Sequence, residues 1–168
     1  MTDARTNLIS WLRDAHAMEE QAETMLKAQF ERIENYPELK ARIGQHLEET
    51  RGQAEALRAC LERMGESSSS LKDAAGKLAA MAQGMGGMFT SDEVVKGSMA
   101  SYTFEHMEIA SYRVLIAAAE TVGDIDTADM CRGILEQEIA MADWLADNLP
   151  AVTRQFLLRD DTDLTAKR

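Results

Sequence analysis

The sequence predicts an all-α protein, a single four-helix bundle over residues 1–160 followed by a charged, frayed tail at 161–168. Three observations predict it. Two prolines and ten glycines in 168 residues, with 5% aromatic residues, leave a chain rich in Ala, Leu, Met and Glu, which favour helices over strands. Apolar residues recur at alternating three- and four-residue steps through four long stretches. The breaks between them are short, long and short, a pattern that suits paired hairpins joined by one crossover.

The first helix spans residues 4 to 34, with Leu8, Leu12, Ala15, Glu19, Ala22, Leu26, Phe30 and Ile33 on one stripe. Asn35-Tyr36-Pro37 breaks it, and Pro37 suits the first turn of the next helix. That second helix runs from about Glu38 to Met64, presents Leu39, Ile43, His46, Thr50, Gln53, Leu57, Leu61 and Met64 inward, and stops at Gly65. Ser67 to Ser70 is a linker, Leu71 to about Met81 reads as a short helix, and Gly84 to Gly87 dissolves it. Met81, Met85 and Met88 recur there at helical spacing and read as gap-filling side chains beneath a crossover or against a second subunit, in preference to a thioether copper site. The third helix begins near Ser91-Asp92-Glu93, continues to about Val122 and is stopped by Gly123. Asp124 caps the fourth, which points Cys131, Ile134 or Leu135, Glu138, Met141, Leu145 and Leu149 inward until Pro150 ends it; Val152 to Leu158 then forms a short helical turn over one end of the bundle.

Composition narrows the function. A formal net charge of −11 without a Lys/Arg cluster excludes a surface built for phosphate backbones, so no nucleic-acid partner is expected and cations are the natural guests. No apolar run approaches the ~20 residues of a membrane span, and Met1-Thr2-Asp3-Ala4-Arg5 lacks the apolar core of a signal peptide, so the expected location is the cytoplasm, away from membranes. Cys60 and Cys131 lack CxxC or metal-finger spacing and read as reduced, structural thiols.

Each apolar stripe is interrupted at mid-height by acid. Glu19 interrupts the first, His46 and Glu49 the second, Glu105 and Glu108 the third, and Glu138 the fourth. Counted from the short turns at ~1.5 Å per residue, these positions fall in one layer. Buried glutamates need partners, because like charges in a low-dielectric interior repel strongly. No lysine or arginine occupies these inward positions, and two divalent cations would nearly balance five carboxylates. Oxygen-rich ligation with one imidazole suits iron or manganese better than a structural zinc. His16 flanks the first stripe and His106 is rotated about 100° from Glu105; both fit ordinary packing better than ligation. Tyr102 and Tyr112 lie on the side facing the acids, where they would pack or donate hydrogen bonds to the ligands.

The same residues resemble a known family. The runs DAHAMEEQ at Asp14 to Gln21, HLEET at His46 to Thr50, EHMEIASY at Glu105 to Tyr112, LEQE at Leu135 to Glu138 and RQFLLR at Arg154 to Arg159 are similar to the small bacterial ferritin-like proteins typified by YciE and YciF. The resemblance covers roughly residues 5 to 160. It implies a ferritin-like bundle, a two-metal carboxylate centre on Glu19, His46, Glu49, Glu105, Glu108 and Glu138, a homodimer, and a role in bacterial stress responses. One departure matters: where the wider superfamily carries Glu-x-x-His on the second and fourth helices, this chain has His46-x-x-Glu49 and Met141. The expected function is a cytoplasmic iron- or manganese-binding protein whose centre reacts with oxygen or peroxide; the alternative is a structural or partner-binding stress protein in which metal only ties the helices together.

Overall fold

The computed structural model describes residues 3–67 and 93–162, which form α1 (Ala4–Arg32), α2 (Pro37–Arg63), α3 (Glu93–Thr121) and α4 (Ile125–Asp160), with no strand among the described residues. The short helix expected at 71–81, the methionines at 81, 85 and 88, and tail residues 163–168 lie outside the described residues.

The helix ends follow local chemistry. Asp3 caps α1 by accepting from the Thr6 N–H at 2.7 Å, and Pro37 opens α2. Gly65 and Gly123, at φ +91° and +75°, adopt the left-handed conformation that ends a helix cheaply only without a Cβ. After Gly123 the Asp124 N–H reaches back to the Ala119 carbonyl at 2.9 Å, while the Asp124 carboxylate accepts from the Thr127 N–H at 3.1 Å. One residue thus closes α3 and caps α4, giving a tight antiparallel hairpin.

Polar contacts at the helix ends set the arrangement of the two hairpins. Gln29 donates to the Gly97 carbonyl at 3.2 Å and Arg32 pairs with Glu93, placing the end of α1 beside the start of α3. Arg63 reaches Asp124 at 3.2 Å and Thr127 at 2.7 Å, placing the end of α2 beside the start of α4. All neighbouring helices therefore run antiparallel, and α2 and α3 run parallel at opposite corners, an arrangement that needs a long connection. Two apolar clusters fill the bundle. One gathers Leu8, Leu12, Leu57, Leu61, Tyr112 and Leu115, the other Leu26, Ile43, Leu47, Met141 and Leu145. The acidic layer lies between them.

Two expectations are corrected. Pro150 does not end the fourth helix: α4 continues through it to Asp160, so residues 152–158 are its last turns and no separate element. Pro150 has no N–H to give the Ala146 carbonyl, but Val152 is buried and Phe156 packs against the second cluster, while Gln155 donates to the Asn35 carbonyl at 2.9 Å. Tertiary burial offsets the lost hydrogen bond. Phe30, expected inside, is 36% exposed. Its ring lies over Gly44, where a Cβ would come within 2.8 Å of it, and the Lys40 ammonium sits 5.1 Å from the ring centroid. A residue without a side chain on α2 leaves a groove outside the bundle axis, and the ring takes it. No helix among the described residues is long and apolar enough to cross a membrane.

Candidate metal centre

Helical periodicity carries the site. Glu105 and Glu108 are three residues apart on α3, so both project from one face toward α2 and α4. His46 on α2 and Glu138 on α4 meet them. One donor atom from each of His46, Glu105, Glu108 and Glu138 lies within 4.8 Å of the others, and all four side chains are buried. This is a histidine-and-carboxylate group of the size and chemistry to hold a metal ion.

His46 is oriented from outside. Its Nδ1 is 2.8 Å from Glu49 Oε2, which turns Nε2 inward, 3.2 Å from Glu105 Oε2 and 3.5 Å from Glu138 Oε2. These last two are ion-pair distances without hydrogen-bond alignment, and Nε2 has no hydrogen-bond partner. Glu49 is therefore outside the four-donor group. It is half-buried and also accepts from Gln45 at 2.8 Å and Arg42 at 3.3 Å. Arg42, outside the inward stripe but on the α2 face of Glu49 two turns earlier, gives that acid a basic partner. Gln45 lies one turn before Glu49, and that spacing was a readable signal.

Glu19 on α1 is fully buried and also stands outside the group of four. Its Oε1 accepts a short hydrogen bond from the Tyr112 hydroxyl, and its Oε2 has no partner. Gln53, one turn after Glu49 on α2, donates to Glu138 Oε1 and to Gln137 Oε1, the latter at 2.9 Å. His16 is buried, with Nδ1 3.8 Å from Glu20 Oε2, and belongs to no close group of donors among the described residues. His106 is exposed and stacks edge-on against Tyr102, ring centroids 4.6 Å apart.

The electrostatics follow from burial and crowding. Desolvation pulls the His46 pKa down, but Glu105 and Glu138 outweigh it and push it up to about 11, so the ring is an imidazolium. Burial raises Glu105 to about 7 despite His46. Burial, reinforced by neighbouring carboxylates, holds Glu108 and Glu19 well above the ordinary range. Burial also works upward on Glu138, yet its contact with His46 keeps it below that range. Burial and crowding thus favour the protonated forms of Glu19, Glu105 and Glu108, while His46 draws Glu138 the other way. The fit to a cation is carried by oxygens: Glu19 Oε2, Glu105 Oε2, both oxygens of Glu108 and Glu138 Oε2 are buried without a hydrogen-bond partner. Such atoms are costly in a folded interior unless something binds them.

Comparison with known proteins places this architecture. A crystal structure of a protein from Xanthomonas campestris pv. campestris is 43% identical, covering 95% of this chain and 99% of that one, with a TM-score of 0.80. YcfI from Rhodopseudomonas palustris, proposed to be a structural protein, is 25% identical over 86% of this chain and 94% of its own, TM-score 0.69. The Escherichia coli stress protein YciF is 26% identical over 89% of this chain and 96% of its own, TM-score 0.69. The family model described as "Domain of unknown function (DUF892)" matches residues 3–158, nearly the whole bundle, and the chain belongs to that family.

Proposed function

We propose that this protein binds two divalent cations, iron or manganese, in the acidic layer, and that the loaded centre takes part in oxygen or peroxide chemistry in a bacterial stress response in the cytoplasm. The observation that carries the reading is the set of buried, unpartnered carboxylate oxygens converging with His46 Nε2. His46, Glu105, Glu108 and Glu138 would hold one ion, and Glu19 with the shared carboxylates of Glu108 and Glu138 the other. Bound iron or manganese would supply redox and Lewis-acid chemistry there.

The chain's own residues prepare the site. Glu49, held by Arg42 and Gln45, accepts from His46 Nδ1 and aims Nε2 inward. Gln53 fixes one oxygen of Glu138 and leaves the other free. The two apolar clusters exclude water from above and below. Loading would displace protons from Glu108, Glu19 and His46, so uptake should release protons.

The test is anaerobic loading of the purified protein with iron(II) or manganese(II), metal analysis, and exposure to peroxide. Two equivalents of metal per chain and a spectral change on oxidation are the expected result; no retained metal, or metal indifferent to oxidant, sinks the redox reading. The likeness to YcfI favours a second reading, in which the ions only tie the helices together. There, Glu138→Ala and chelation would lower thermal stability alike, with no oxidant chemistry to lose.

A further inference from the structure

The two half-sites are built differently, and the difference centres on Tyr112. The first is preformed: four buried donors, including the one imidazole of the layer, lie within 4.8 Å of one another. The second depends on Glu19, which is just as buried but stands apart from that group. One of its oxygens is occupied by the Tyr112 hydroxyl and only Oε2 is open. No nitrogen donor joins it in a close group among the described residues: His16 is buried with its Nδ1 unpartnered but belongs to no such group, and His106 is exposed. Tyr112 is itself fully buried and packed in the first apolar cluster. Its hydroxyl cannot reach water without disturbing that packing, so losing Glu19 as acceptor would leave a buried phenol unpaired.

Resting on the two-cation reading above, we infer that Tyr112 is a positioning residue that sets the order of loading. The first divalent cation enters at His46, Glu105, Glu108 and Glu138. The second binds only when Glu19 turns from Tyr112 toward the shared carboxylates Glu108 and Glu138. The hydrogen bond to Tyr112 competes directly with that ligand, and having to break it weakens the second step by about tenfold, the worth of an ordinary buried hydrogen bond. The first step is untouched, because Tyr112 bonds no member of the first group.

Manganese(II) titration of the metal-stripped full chain tests this, followed by paramagnetic resonance, which distinguishes free ion, single bound ion and coupled pair. The wild type should bind one ion at least tenfold more tightly than the second and show a single-ion spectrum at one equivalent. Tyr112→Phe should tighten the second step by about tenfold with the first within twofold, so that coupled pairs appear earlier in the titration. Glu19→Gln should abolish the second step and keep the first, a check that does not depend on how Tyr112→Phe folds. Two equal steps in the wild type overturn the inference, as does a Tyr112→Phe second step that is unchanged or weaker. Failure to bind manganese or iron at all overturns the two-cation reading itself, and so is distinguishable from either result.

Discussion

Glu108 shows most plainly what a binding site costs the fold. Both of its oxygens are buried without a hydrogen-bond partner, 1% of the residue is exposed, and Glu19, Glu105 and Glu138 crowd it. Glu108→Gln removes a titratable group that the interior tolerates only when protonated or bound. It should raise the stability of the metal-free protein by about 1–3 kcal/mol, read by denaturant melting, while lowering metal affinity at least tenfold. A variant equally weak in stability and binding would contradict this account. Glu49 makes the opposite case. It lies outside the donor group but holds His46 by a 2.8 Å contact, so Glu49→Gln should weaken metal binding by about 10- to 100-fold with little change in melting. Calorimetric titration checks both numbers. The acidic layer was legible in the sequence because a glutamate in an apolar helical stripe is conspicuous. The division of labour within it was not, because whether a carboxylate faces a metal, a guanidinium or a phenol depends on neighbours from other helices.

At the scale of the helix, the ends are decided locally and the middle of α4 is not. Burial nudges the Asp124 carboxyl upward, but the Thr127 N–H and hydroxyl and the Arg63 guanidinium outweigh it and hold the pKa below the ordinary carboxylate range. With the folded pKa depressed, the cap's contribution is present above the unfolded value and is lost as pH falls through the folded one. Asp124→Ala should therefore cost about 1–2 kcal/mol near neutral pH, and the difference from wild type should shrink below about pH 4. Urea melts across that range would show it. Pro150 is exposed and inside a continuous helix. Pro150→Ala restores an N–H toward Ala146 and should raise stability by about 1–3 kcal/mol, whereas a loss would mean that the ring's own contacts matter more than the ladder. The expected stop at Pro150 rested on a sound local rule. Burial of Val152 and packing of Phe156, gained only in the folded bundle, overrode it.

For the whole molecule, the two apolar clusters and the layer between them set one global property. A cation that binds the folded layer and not the unfolded chain stabilises the fold by mass action, about 2.7 kcal/mol at a hundredfold excess over the dissociation constant. Melting with manganese(II) and with chelator should differ by several degrees, and the difference should shrink to about half or less in Glu108→Gln. Unchanged melting in wild type would deny that the layer binds cations. The four helices, their turns and the mid-height acids followed from the sequence alone, since periodicity, caps and left-handed glycines are properties of neighbouring residues. Which hairpin faces which, the seating of Phe30 over Gly44, the run of α4 through Pro150, and the separation of Glu19 and Glu49 from the four central donors were decided only by tertiary structure. Each depends on side chains brought together from different helices, and on burial energies that no single segment contains.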